Sequence, residues 1–347
     1  MSFTTGSPKD TWQPVMTANT TIASYWLNWR FFLCAIWVLI LMTIALILIW
    51  KNEHRCGVER DSGGNRQEAE APFYDDETWR PCLEGIHPAW LLVFRVFAFF
   101  ALSVLLIISV FVDGGSIFYF YTQWTFTSVT IYFGLGSLLS IRGCYQYHKR
   151  AGDKRVDNVE ADPEQGTRVS PSVGQSFNTS MAMKSSNSHE RLDVRQPAGK
   201  LAFIFQIIFQ MNAGAVVLTD CVFWFILVPF LAIKDYHLTS LVIGIHSLNA
   251  VFLLGDTALN SLRFPWFRIA YFLTWTIVYV LFQWIVHATF RLWWPYPFLD
   301  LSSPYAPLWY FSVAVMHIPC YCVFAFIVKL KRTVFSRWFP DSYQSLR

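Results

Sequence analysis

Seven stretches of this sequence are apolar and long enough to cross a lipid bilayer. A membrane-spanning helix needs about 20 mostly apolar residues, because the hydrocarbon core is about 30 Å thick and each helical residue adds about 1.5 Å. The stretches are residues 31–50, 90–112, 119–141, 201–233, 241–260, 266–290 and 308–330. The sequence therefore predicts an all-α, polytopic membrane helical bundle of about seven transmembrane helices, in which a leading helix precedes a six-helix core.

Two of these stretches depart from a plain apolar helix. Residues 201–233 are too many for one perpendicular span, but no turn residues interrupt them, so we predict a tilted helix with a distortion near Pro229. Arg95 is the only charged residue of the second stretch. It lies close enough to one end that its long side chain is expected to snorkel toward the membrane surface.

The rest of the chain divides into polar connections and tails around the leading helix (31–50) and the membrane core (90–141 and 200–331). These are an N-terminal tail, a first polar loop, a long second loop and a basic C-terminal tail, at residues 1–30, 51–89, 142–199 and 332–347. The second loop is rich in Ser, Asn, Gln, Gly and charge and has no periodic apolar pattern, so we expect disorder there. The first loop is similar but more acidic, and the same expectation applies to it.

Lys and Arg residues are distributed very unequally between the two ends of the predicted spans. The connections on the side of the C-terminal tail carry 22 of the 27 Lys and Arg residues, and those on the opposite side carry four. Because positively charged connections stay in the cytosol, this predicts an outer or lumenal N-terminus and a cytosolic C-terminus, in an endomembrane or the plasma membrane. One glycosylation sequon, at Asn19, then lies on the outer side, and another, at Asn178, on the cytosolic side.

Several predicted spans carry polar side chains that are costly to expose to lipid. An ionisable residue near mid-membrane costs roughly 2.5–3.5 kcal/mol on insertion scales, so it usually faces a protein partner or a wet cavity. In the fifth span a polar stripe lies on one face of the helix and consists of His246, Asn249, Asp256 and Asn260. Shorter stripes in the other spans are formed by Thr125, Ser128 and Tyr132, by Gln206, Gln210 and Asp220, by Gln283 and His287, and by His317 and Tyr321.

The depth of these residues, counted from the predicted outer ends of the spans, favours a shared site. Ser128, Asp220, His246 and His317 are all compatible with one hydrated cavity in the outer half of the bilayer. The last outer connection is rich in proline and aromatic residues, among them Trp294, Tyr296 and Pro297, with Asp300 at its end. It is expected either to fold over the cavity mouth as a stiff lid or to act as an interfacial anchor.

Four short motifs carry a family resemblance. They are WTFTS at 124–128, VFW at 222–224, HSLN at 246–249 and, the most specific of them, WPYPFLD at 294–300. With these motifs the sequence resembles the androgen-induced membrane hydrolases and their rolling-stone-like relatives, over roughly residues 88–331 without the polar loop. That family includes intramembrane hydrolases of fatty acid esters of hydroxy fatty acids, which use a threonine nucleophile and a histidine. The resemblance implies Ser128 at the nucleophile position, beside Thr127, and His246 as the histidine.

A hydroxyl group is a weak nucleophile near neutral pH and needs a base within hydrogen-bonding reach. We therefore expect His246 to accept the Ser128 proton while the hydroxyl attacks the ester carbonyl. The supporting candidates are Asn249, Gln283 and His317 for the oxyanion and Asp220 for orienting the imidazole.

Two other function classes stay open. A zinc-dependent hydrolase would draw its ligands from four residues at uneven depths, without HxxxH or HxxE spacing: Asp220, His246, His287 and His317. The other class is non-enzymatic, a receptor, transporter or adhesion and fusion component. We expect no metal, no other cofactor and no nucleic-acid partner; the expected partners are membrane lipids, with a fatty acid ester as substrate.

Overall fold

The computed structural model describes residue 16 and residues 18–61, 73–160, 196–231 and 239–343. Within these residues the protein is an all-α bundle with seven helices long and apolar enough to span a membrane. These helices are α1 (Trp29–Asp61), α2 (Pro88–Asp113), α3 (Tyr121–Glu160), α4 (Lys200–Cys221), α5 (Ser240–Leu259), α6 (Ile269–Thr289) and α7 (Ala306–Trp338). The prediction of a polytopic bundle with seven spans is confirmed.

The helices differ in how much of their surface faces the rest of the protein. In the most apolar stretch of α3 and of α4, 61% of the residues are buried, whereas in α1 the share is 17%. The leading helix packs on α6 and α7 and leaves side chains such as Leu39 and Ile47 exposed. A membrane helix that exposes apolar side chains in this way places them against lipid, and α3 and α4 therefore form the centre of the bundle.

The fourth span changes pitch near its end. After Cys221 the chain forms a π-helical segment, Val222–Leu227, and then a short helix, Val228–Leu231. Pro229 has no N–H to donate, and in a regular α-helix its ring would clash with the carbonyl group four residues earlier. A wider π turn just before the proline relieves this crowding. The distortion therefore begins seven residues before Pro229.

Arg95 does not snorkel, contrary to the expectation from its position. Its side chain is fully buried, and its Nε donates a hydrogen bond of 2.7 Å to Oδ1 of Asp256 in α5. One guanidinium nitrogen also donates to the carbonyl of Thr78 and to Oγ of Ser140 in α3. Because neighbouring elements supply a counter-charge and acceptors, the buried guanidinium is satisfied without reaching the membrane surface. The charge thereby ties α2, α3 and α5 together.

The first polar loop is ordered in its described part, which corrects the expectation of disorder there. Helix α1 continues to Asp61, and residues 73–87 pack against the bundle with Trp79 buried. Glu77 is buried and accepts hydrogen bonds of 2.7 and 2.9 Å from the Arg263 guanidinium. These partners come from distant parts of the sequence, which composition does not reveal. Residues 62–72 lie outside the described residues.

The second polar loop is shorter than predicted. Helix α3 continues through residue 160, so the first 19 residues assigned to the loop are helical. Near its other end, the Ala198 N–H donates to the Phe73 carbonyl and the Asp75 N–H to the Gln196 carbonyl. The disorder expected for residues 161–195 concerns a segment outside the described residues.

Candidate functional site

An apolar cavity of about 60 Å³ lies between the helices, at the end of the bundle where residues 290–305 connect α6 to α7. It is lined by the start of α3, the end of α4 with its π segment, α6, α7 and residues 296–299. A cavity of this size has room for about four water molecules or an apolar group of similar volume. Its lining consists of Leu, Val and Phe side chains together with six hydroxyl-bearing ones: Tyr121, Thr122, Thr219, Thr276, Tyr279 and Tyr296.

In the wall of this cavity, Thr276 of α6 is hydrogen-bonded to His317 of α7. The Thr276 Oγ1 lies 2.8 Å from Nε2 of the imidazole, and both side chains are buried. The other ring nitrogen, Nδ1, lies 2.8 Å from the carbonyl oxygen of Val313, one turn earlier in α7. Since a carbonyl oxygen only accepts hydrogen bonds, Nδ1 carries the proton and Nε2 accepts from the threonine hydroxyl.

Tyr121, at the start of α3, extends this chain of hydrogen bonds. Its hydroxyl lies 2.8 Å from Oγ1 of Thr276. The threonine has one proton, and the carbonyl of Phe272, at 3.3 Å, is a more distant acceptor than His317. Tyr121 therefore donates to Thr276, which donates to His317. The Phe272 ring packs beside the imidazole, with 4.4 Å between ring centroids, and limits its rotation.

Residues 293–302, here named the roof segment, line this end of the cavity through Tyr296, Phe298 and Leu299. Of the four roof residues singled out by the sequence, Trp294, Tyr296 and Asp300 are buried and Pro297 is exposed. Tyr296 lies in the cavity wall, and its hydroxyl is 3.5 Å from Oγ1 of Thr122. The roof segment is thus part of the packed bundle.

Tyr25, which precedes α1, anchors the roof segment. Its hydroxyl donates to Oδ1 of Asp300 at 2.9 Å and accepts from Nε1 of Trp294 at 2.9 Å and from the Leu301 N–H at 3.1 Å. Burial, followed by the negative charge of Asp300, raises the pKa of the Tyr25 hydroxyl. The chain ahead of the leading helix therefore holds the roof over the cavity.

His287 and Gln283 fasten the other end of the roof segment to α6. The His287 ring nitrogens lie 2.8 Å from the Gln283 carbonyl and 3.2 Å from the Trp293 carbonyl. The ring stacks on Trp294 with centroids 3.8 Å apart. The Gln283 amide donates to the Tyr119 carbonyl at 2.7 Å. Both side chains therefore serve the junction between α6, the roof segment and the turn before α3.

Ser128 and His246, which the motifs pair, are not joined by a hydrogen bond in the described part of the chain. Ser128 is buried in α3 and shares a face with Tyr121, about 10 Å further along the helix. The His246 ring stacks on Phe223 with centroids 3.5 Å apart, and its buried Nδ1 has no hydrogen-bond partner. Neither side chain lines the cavity. Thr127, beside Ser128, has a buried hydroxyl without a partner.

Asp220 and Asn249 contact each other, at 3.4 Å between the carboxylate and the amide nitrogen. Asn249 is fully buried, and its Oδ1 accepts from the Ala250 N–H. This pair links α4 to α5 on the side where Phe223 meets His246. The Asp220 carboxylate therefore accepts a hydrogen bond from Asn249 and does not orient the His246 imidazole.

The zinc alternative finds no support in the described residues. Among residues 18–61, 73–160, 196–231 and 239–343, no group of three or more His, Cys, Asp or Glu side chains could hold a metal ion. His287 and His317 have separate backbone partners, and Asp220 pairs with Asn249.

The sequence patterns did not single out two residues of this site, Thr276 and Tyr121. One signal was available: Thr276, Tyr279 and Gln283 recur at i, i+3 and i+7 and so form a polar stripe on α6. Each is isolated among apolar neighbours, which made the shorter pair of Gln283 and His287 more visible.

No protein-family model, no curated protein and no solved structure matches the chain. The fold by itself defines the class: a polytopic integral membrane protein built on a seven-helix bundle.

Proposed function

We propose that this protein is an intramembrane hydrolase of lipid esters that uses a Ser or Thr hydroxyl as nucleophile and a histidine as base. The observation that carries the proposal is the hydrogen bond between Thr276 and His317 in the wall of an apolar cavity. A hydroxyl that donates to an imidazole nitrogen is the arrangement that activates a weak oxygen nucleophile. The lining of the cavity is mostly apolar, so the cavity suits the acyl chain of a lipid.

An apolar cavity within the helices also suits ester hydrolysis energetically. Exclusion of water strengthens the electrostatic interactions that stabilise the charge developing on the carbonyl oxygen. The membrane lipids around the bundle supply the substrate, a fatty acid ester, without transfer through water. The hydroxyl-bearing side chains of the lining offer hydrogen bonds to the one polar group such a substrate carries.

The motif resemblance to the androgen-induced membrane hydrolases supports the same reaction class. It assigns the nucleophile to Ser128 and the histidine to His246, and these remain the alternative reacting pair. The distribution of Lys and Arg supports an outer or lumenal N-terminus, in an endomembrane or the plasma membrane. In that orientation the cavity lies in the outer half of the bilayer and receives water from the outer side.

The test uses the full chain, purified in detergent micelles and checked by its thermal unfolding transition. An alkyl fluorophosphonate, which forms a covalent bond with an activated hydroxyl, is expected to label it. 4-Nitrophenyl butyrate is expected to be hydrolysed, and prior labelling should abolish the activity. A folded protein that is neither labelled nor active would show that the proposal is wrong.

A further inference from the structure

We infer that Thr276 is the nucleophile and His317 its general base, and that the substrate is a neutral acyl ester. This inference rests on the proposed hydrolase function and names the reacting pair within it. It differs from the pair implied by the motifs, because the structure joins Thr276 to His317 and leaves Ser128 without a hydrogen bond to His246.

The orientation of the imidazole matches what a general base requires. The Val313 carbonyl fixes the proton on Nδ1, which leaves the Nε2 lone pair directed at the Thr276 hydroxyl. In serine hydrolases a carboxylate holds the corresponding N–H; here a backbone carbonyl does so. A carbonyl stabilises an imidazolium less than a carboxylate does, and the centre is therefore expected to turn over slowly.

Tyr121 supplies the hydrogen-bond donor for the developing oxyanion. Its hydroxyl lies 2.8 Å from Oγ1 of Thr276, the atom that attacks the carbonyl carbon. The oxyanion forms on the same carbon, within reach of a small rotation of the tyrosine hydroxyl. A donor preorganised in an apolar site stabilises this charge more than it would in water.

The reaction proceeds in two balanced steps. In the first, His317 Nε2 takes the Thr276 proton, Oγ1 bonds to the acyl carbon, and the C–O bond to the alcohol breaks. The departing alkoxide takes the proton from Nε2 and leaves as the alcohol. In the second, Nε2 takes a proton from water, the resulting hydroxide attacks the acyl-threonine ester, and Oγ1 leaves with that proton, which releases the fatty acid.

The cavity wall defines the substrate class. Its described lining contains no charged side chain and is mainly Leu, Val and Phe, so a charged group near the ester has no counter-ion there. At about 60 Å³ it holds the ester and the first few carbons of an acyl chain. A neutral acyl ester fits this description, whereas an ester with a charge close to the carbonyl does not.

Mass spectrometry of the fluorophosphonate-labelled protein tests the assignment directly, because the adduct identifies the nucleophile in the unmodified sequence. We expect it on Thr276. Thr276→Ala should abolish labelling and reduce hydrolysis of 4-nitrophenyl butyrate by about 100-fold or more, whereas Thr276→Ser should keep both. His317→Asn should lower the rate by about 100-fold. The matched control is Thr274→Ala. Among the described residues, the Thr274 hydroxyl donates only to the Ala270 carbonyl of its own helix, so this variant should keep both the labelling and the hydrolysis rate of the wild-type protein.

Substrate class is tested with the wild-type protein on two esters of equal chain length. The value of kcat/KM for 4-nitrophenyl butyrate should exceed that for the analogue with a terminal trimethylammonium group by about 100-fold, because the charge loses its hydration in the cavity. Equal values would refute the neutral-ester assignment.

Different results would refute the hydrolase function and the assignment of Thr276 as its nucleophile. A folded wild-type protein without labelling or activity would remove both the hydrolase function and the pair. An active wild-type protein whose adduct lies on Ser128 or Thr127, with labelling retained in Thr276→Ala, would remove the Thr276 assignment and leave the hydrolase function standing.

Discussion

Replacing Asp256 by alanine is predicted to be among the most destabilising single changes in the bundle. The Asp256 carboxylate accepts hydrogen bonds from Arg95, Tyr132 and Asn260, all fully or almost fully buried. Removing it leaves the Arg95 guanidinium inside the protein without its counter-charge. Breaking a buried ion pair from one side typically costs about 3–5 kcal/mol of unfolding free energy.

The magnitude follows from what remains around Arg95. The Asp256 carboxylate accepts four hydrogen bonds, two of them from Arg95 at 2.7 and 3.4 Å. Hydrogen bonds to charged groups contribute about 1.5–3 kcal/mol each, so together they set an upper limit of about 6–12 kcal/mol. The Arg95 guanidinium keeps its bonds to the Thr78 carbonyl and to Ser140, which lowers the loss. We therefore expect about 3–5 kcal/mol, or a decrease in melting temperature of roughly 6–20 °C.

The assay is thermal unfolding in detergent, with Asp113→Ala as a matched control. Asp113 lies at the end of α2, only partly buried and without a described ion pair, and its replacement should change the melting temperature little. The double variant Arg95→Met with Asp256→Leu should recover part of the loss, because an apolar pair needs no counter-charge, while the Tyr132 hydroxyl and the Asn260 amide still lose their acceptor. A loss below about 1 kcal/mol for Asp256→Ala, or a double variant as unstable as the sum of the singles, would refute this account.

Three further outcomes are expected. Gly214→Ala should destabilise the bundle by about 1–3 kcal/mol, because the new Cβ would lie 2.3 Å from a ring carbon of Phe272 in α6. Gly152→Ala, also within a helix, meets no atom within 4 Å and should leave the melting temperature unchanged or raise it slightly, since alanine favours the helix; equal melting temperatures for the two variants would contradict this. Tyr25→Phe should cost about 1–3 kcal/mol. Because the pKa of Tyr25 is raised, its stabilisation is complete below pH ~10 and lost as pH rises further, so the wild-type stability should fall more above pH 10 than that of the variant. Asn19→Gln should remove an N-linked glycan and Asn178→Gln should not; glycosylation at the second site alone would reverse the proposed orientation.

The sequence was sufficient to predict the spans, because the hydrophobic length of a helix is a local property that the membrane thickness fixes. It also predicted the distortion before Pro229, since a proline restricts the backbone next to it. The position of the Arg95 side chain, in contrast, depends on a residue far away in the sequence. A lone arginine near a span end snorkels unless another helix presents a carboxylate, and the partner, Asp256, is 161 residues away in the chain.

The candidate site also depends on contacts between helices that the sequence does not reveal. Periodicity places Tyr121 and Ser128 on one face of α3, and it places Thr276 on one face of α6, but it says nothing about how the two helices are turned toward each other. That relation is decided by packing, for example by Gly214 of α4, which lets α6 approach closely through Phe272.

The direction of the side chains decides which hydroxyl meets which imidazole. Helices α3 and α5 both run antiparallel to α2, and Phe133 of α3 contacts Phe252 of α5 with 6.2 Å between the ring centroids. Ser128 and His246 lie five and six residues before this contact, so the two residues are at similar depths in the bundle. The His246 ring, however, stacks on Phe223 at the end of the fourth span. Depth counted from the sequence therefore aligns the pair, but it cannot show which neighbouring helix an imidazole faces, whereas Thr276 and His317 already share a hydrogen bond.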